Sequence, residues 1–82
     1  MRPKSLCDEV IAVSGLSIVI AGSSIRRALA RAGVDPDTMT PVDLSRALDS
    51  IEKSLLVYLE NDEVLQRMIA LRQLARGRSV EP

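Results

Sequence analysis

Apolar side chains in the second half of the chain return at helical spacing. Leu44, Leu48, Ile51, Leu55 and then Tyr58 or Leu59 follow one another every three or four residues, with Arg46, Asp49 and Lys53 on the opposite face. A 3.6-residue repeat gathers such a series into one stripe, so the segment is predicted to be an amphipathic helix. Its start is written beside it: Thr40 as N-cap, Pro41 in the first helical position, and Asp43 three residues after the cap. Together they make a short capping box. A second helix follows in "ENDEVLQRMIALRQLARG", capped by Asn61 or Asp62, with Arg72 and Arg76 in its last turn and Gly77 as its stop. Its apolar positions (Val64, Leu65, Met68, Ile69, Leu71, Leu74 and Ala75) form a stripe wider than one neighbouring helix covers.

Upstream, "IRRALARAGVDPD" ends a helix at Gly33, with Val34 as a hydrophobic stop contact and Pro36 barring continuation. "GVDPDTM" then reads as a helix–helix connection within one domain. The pattern changes between Val10 and Ile25, where sixteen residues pass without a charge. Ser5 and Asp8 form a capping box, Leu6, Val10 and Val13 follow at helical spacing, and Ile18, Ala21, Ile25, Ala28, Leu29 and Ala32 continue the stripe. Gly and Ser weaken helices, so a break or bend is expected near "SGLS" or "GSS". The competing reading makes residues 16–22, "LSIVIAG", a strand, because Ile and Val favour a pleated surface. Such a strand has no partner in the chain and must pair with a second copy, so the helix is preferred.

These elements predict an all-α fold, a small bundle of three to four helices forming a single domain over residues 1–82, with 1–4 and 78–82 as frayed tails. A segment hydrophobic on nearly every side has to be enclosed on nearly every side. A chain of 82 residues has little material to do that and also cover its last helix. The core is therefore expected to be completed by oligomerisation, most simply as a two-fold homodimer, or by a helical protein partner. The expected interface residues are Val10, Val13, Leu16, Ile18, Val19, Ile20, Ile25, Leu65, Met68 and Ile69.

Composition narrows the chemistry. Tyr58 is the only aromatic residue, so the core must be built from Leu, Ile, Val, Ala and Met. Lys plus Arg and Asp plus Glu number eleven each, which leaves no global field toward nucleic acid or an anionic membrane. The chain has no His, which removes the commonest general base and metal ligand together, and Cys7 is its only cysteine. No enzyme activity, no cofactor and no metal are expected. The uncharged run is too short and too rich in Ser and Gly for a membrane span. Asp8 and Glu9 stand where the apolar region of a signal peptide should begin, so a cytoplasmic chain is expected.

The remaining motifs have plain readings. Asp35 and Asp37 sit like the start of a calcium loop, but Met39, Thr40 and Arg46 occupy the positions that need an oxygen ligand, Gly and Glu. Cys7 reads as a small core residue, and the pairs Asp8–Glu9 and Asp62–Glu63 as helix-start residues. Basic clusters occur at Arg26, Arg27 and Arg31 and at Arg72, Arg76 and Arg78, which serve the alternative of a small dimeric DNA-binding protein. In a helix-turn-helix arrangement, however, the recognition helix would carry Ile, Val and Ala where base readout needs Arg, Asn or Gln. A ribbon-helix-helix dimer would likewise present an apolar strand to the groove. The favoured expectation is a non-enzymatic helical protein–protein interaction module with a regulatory or scaffolding role.

Overall fold

In a computed structural model describing residues 5–76, the chain forms four helices: α1 (Leu6–Val13), α2 (Ile18–Arg31), α3 (Pro41–Tyr58) and α4 (Asn61–Ala75). No strand occurs among the described residues. Gly77, Arg78 and the two expected tails lie outside them.

Local chemistry sets most of the helix ends. Ser5 Oγ accepts the Asp8 N–H at 3.1 Å while the Ser5 N–H donates to the Asp8 carboxylate at 3.4 Å, the reciprocal box read from the sequence. Thr40 and Asp43 repeat it at the start of α3, with bonds of 3.3 and 3.1 Å. The uncharged run breaks once, at "SGLS". Ser14 is fully buried, yet its hydroxyl is satisfied, donating to the Ile11 carbonyl at 2.8 Å and accepting the Leu16 N–H at 3.2 Å. Gly15 follows with φ +77°, and Ser17 caps α2 by accepting the Val19 N–H at 3.2 Å. "GSS" lies unbroken inside α2, and residues 18–22 are helical.

α2 stops as expected. Gly33 takes φ +77°, its N–H donates to the Ala30 carbonyl, and the Val34 N–H reaches back to Leu29 at 2.9 Å. This pairing satisfies two otherwise orphaned carbonyls and turns Val34 into the core. Met39 packs inward from the same connection. The cap of α4 departs from expectation. Glu60 holds that position with no side-chain cap bond, and Asn61 is already helical. The reason is the junction's brevity: Leu59 closes α3 and the next residue opens α4, so the turn is set by packing and not by a capping side chain.

The helices close a cycle, α1 resting on α2 and α4, and α3 on the same two. Val10, Ile25, Leu29, Leu44, Ile51, Leu55, Met68 and Leu71 are fully buried at its centre. Each contributes roughly 1.5–3 kcal/mol of burial free energy. Ala47 is fully buried in α3, where Leu48 is half-buried and Tyr58 is exposed. Arg46, Asp49 and Lys53 face solvent, as the pattern required.

The expectation that Val10 to Ile25 is enclosed on nearly every side is corrected. The break at Ser14–Ser17 divides it into two helices, each with one inward face. Ile18 falls on the stripe of Ala21, Ile25 and Ala28, yet it is 92% exposed because no described element covers the first turn of α2.

Candidate functional site

The ten expected interface residues fall into three groups. Val10, Ile25 and Met68 are enclosed by the chain's own helices and offer no surface to a partner, so they leave the candidate site. Val13, Leu16 and Ile20 are half-buried. Ile18, Val19, Leu65 and Ile69 are exposed, and these four carry free apolar surface.

A mostly apolar groove lies where α1 meets α2. Ile11 and Ala12 from α1, Leu16 from the connection, and Ile18 and Ala21 from α2 line a groove of about 330 Å³, with Asp8 as the one charged side chain in its lining. Val19, 84% exposed, stands beside it at the next position of the helix. The fold creates this surface by starting α2 at Ser17, one cap residue before a run of three β-branched side chains. On α4, Leu65 and Ile69 stand one turn apart on the side away from the buried Val64, Met68 and Leu71.

Arg26, Arg27, Arg31, Arg72 and Arg76 are exposed, but the structure sorts them. Arg26 turns toward Gly22 and lies close enough to Cys7 to act on its thiol. Arg27 and Arg31 instead point into the groove between α2 and α3, where Lys53 joins them. Arg72 lies in the last turn of α4 and Arg76 is its C-cap, diagonal to α2 in the cycle, so the two basic clusters do not merge into one face. Lys53 was legible only as a solvent-facing residue, since nothing in the sequence says which faces of α2 and α3 meet.

Cys7 is buried near the start of α1. Burial pushes its thiol pKa up, Arg26 opposes the rise, and Asp8 and Asp37 add to it. A thiol held protonated is a core residue in its chemistry as well as its packing. Among the described residues no group of three or more His, Cys, Asp or Glu is placed to hold a metal ion, and no helix is long and apolar enough to cross a membrane. No protein-family model, curated protein or solved structure matches the chain.

Proposed function

We propose that this protein is a non-enzymatic helical association module that pairs with a second copy of itself through the surface at the start of α2. The observation that carries the reading is the exposure of Ile18 and Val19, at 92% and 84%, beside an apolar groove. Two branched apolar side chains projecting from a helix start are costly to leave in water. The groove lined by Ile11, Leu16 and Ala21 is roomy enough to receive such a side chain from elsewhere.

One molecule thus carries both a projection and a recess. A two-fold rotation seats each copy's projection in the other's recess, the self-complementary arrangement of an isologous dimer. With equal numbers of acidic and basic residues, no net charge opposes the approach. Burying Ile18 and Val19 from both copies yields roughly 6–12 kcal/mol. Association costs of about 4–15 kcal/mol offset much of this. Only the largest gain set against the smallest cost leaves about 8 kcal/mol, a micromolar dimer, so the pair is at its tightest micromolar and comes apart on dilution. Its role is then regulatory or scaffolding: a partner fused to, or bound by, one copy is brought beside the other. The DNA-binding alternative draws less support, because the basic clusters occupy diagonal helices and the chain's single aromatic residue, Tyr58, stands beside only the α2 cluster, too little for stacking a series of bases.

Sedimentation equilibrium and concentration-dependent melting test the reading. Wild type should be dimeric at about 100 µM and should melt at a temperature that rises with protein concentration. The double variant Ile18→Asp/Val19→Asp should keep its helical circular dichroism and become monomeric, since both positions are solvent-facing in the single chain. A wild type that stays monomeric and melts independently of concentration refutes the proposal.

A further inference from the structure

On another side of the bundle, α2 and α3 enclose a groove of about 200 Å³ with a different character. Ser24, Arg27 and Arg31 enter it from α2 at intervals of three and four residues, which places them on one helix face. Lys53, Ser54 and Tyr58 enter it from α3, and no carboxylate lines it.

Three cations share this space. Arg27 and Arg31 stand one turn apart, a like-charge spacing that destabilises a helix unless something compensates it. Among the described residues, none of the three cations forms an ion pair; the one salt bridge joins Arg67 to Glu63 on α4. The hydroxyls tell the same story independently. Ser24 Oγ donates to Tyr58 Oη at 3.4 Å, which leaves the phenol proton free to donate outward. Ser54 is only 8% exposed, yet its hydroxyl has no hydrogen-bond partner among the described residues. A buried hydroxyl facing a cavity without a partner is a vacant donor, and such groups are unusual in folded proteins.

We infer that the groove bounded by Arg27, Arg31, Lys53, Ser54 and Tyr58 is a binding site for the phosphate monoester group of a small phosphorylated molecule. The donor set fits that chemistry. Planar guanidinium forks match oxygens in pairs, the lysine adds a compact charge, and the two hydroxyls complete the donors around three terminal oxygens. A dianion answers three positive charges better than a carboxylate does. The volume far exceeds the roughly 10–15 Å³ a single water needs, leaving room for a five-atom oxyanion and the first atoms of its carrier. The site lies apart from the apolar surface proposed for association and does not depend on it.

Nuclear magnetic resonance titration of the full chain with glycerol phosphate tests this, with chloride at matched ionic strength as the control. Saturable shifts should cluster at Ser24, Arg27, Arg31, Lys53, Ser54 and Tyr58, and should strengthen as pH rises through the second phosphate ionisation. Arg27→Gln and Lys53→Gln should each weaken binding about tenfold, while Arg72→Gln on α4 leaves it unchanged. Ser54→Ala, a substitution that a helix tolerates well, should weaken binding several-fold while the fold stays intact. Shifts spread evenly over all arginines, or matched by chloride, mean charge screening alone and overturn the assignment. So does an unchanged affinity in Ser54→Ala together with Arg27→Gln. A random DNA duplex that perturbs the same residues more strongly than glycerol phosphate would transfer the groove to backbone diesters and also overturn it.

Discussion

Gly15 and Gly33 share one backbone conformation, φ +77°, in two different surroundings, and that coincidence makes a controlled experiment. At Gly33 a Cβ would meet nothing within 4 Å, so Gly33→Ala reports backbone strain alone. An L-residue in the left-handed region costs about 1–2 kcal/mol. Stiffening the unfolded chain returns about 0.4–1 kcal/mol. The net loss should be about 1 kcal/mol. At Gly15 the same Cβ would lie 3.0 Å from Cδ and Cζ of Arg67 and closer still to its Nε. Arg67 must then move, which strains its pairing with Glu63 at 2.6 Å. Both side chains are two-fifths exposed, 40% and 42%, so the ion pair is discounted to about 0.5 kcal/mol. Gly15→Ala should therefore cost about 1.5 kcal/mol. Introduced into Arg67→Ala, the same change should cost only about 1 kcal/mol, the Gly33 value. Urea unfolding at fixed protein concentration, followed by far-ultraviolet circular dichroism, reads these differences as midpoint shifts of roughly 1 M per kcal/mol. A Gly15→Ala cost that is identical with and without Arg67 would show that the close approach carries no energy, and a harmless Gly33→Ala would undo the strain argument.

Two further outcomes follow from burial. Leu55→Ala should cost about 2–5 kcal/mol in urea unfolding because it opens a cavity among fully buried neighbours, whereas Val57→Ala, two residues on and exposed, should stay within about 0.5 kcal/mol. Cys7 should react slowly with a thiol reagent in the native protein and rapidly in urea. Because the folded state holds the thiol pKa above its unfolded value, the unfolded chain ionises first, so stability should be intact below the ordinary thiol range and decline as pH climbs through it. Cys7→Ala should lack that decline.

What the sequence disclosed and what it withheld divide along the range of the interactions. Ser5 with Asp8, Thr40 with Asp43, and Gly33 with Val34 act over three to five residues, and each is found where the chain announces it. Glu60 is the counterexample. The sequence offered Asn61 or Asp62 as the cap, and the position fell instead to Glu60 because of how closely α4 folds back on α3. The apolar run misled for a related reason. Composition alone cannot show which side of Ile18 or Val19 turns inward, because the break at Ser14–Ser17 reorients the second helix relative to the first. The division of Arg26 from Arg27 and Arg31 follows from helical spacing, but the arrival of Lys53 and Ser54 opposite them depends on the α2–α3 contact. Neighbours across helices are decided by tertiary packing.

The directness of the α3–α4 junction also bears on the order in which the molecule assembles and comes apart. Two long helices joined through two cap residues, Leu59 and Glu60, close their contacts at little entropic expense, so they form the most local and fastest-forming unit of the fold. α1 stands at the other extreme. Its eight residues are too few to hold a helix in isolation, and its contact with α4 spans nearly the whole chain. It is the element that docks last and lifts off first, in openings that fall short of global unfolding. Each such excursion strips the cover from one wall of the apolar groove and brings Cys7 briefly into solvent, so amide exchange in α1 should run ahead of exchange in α3.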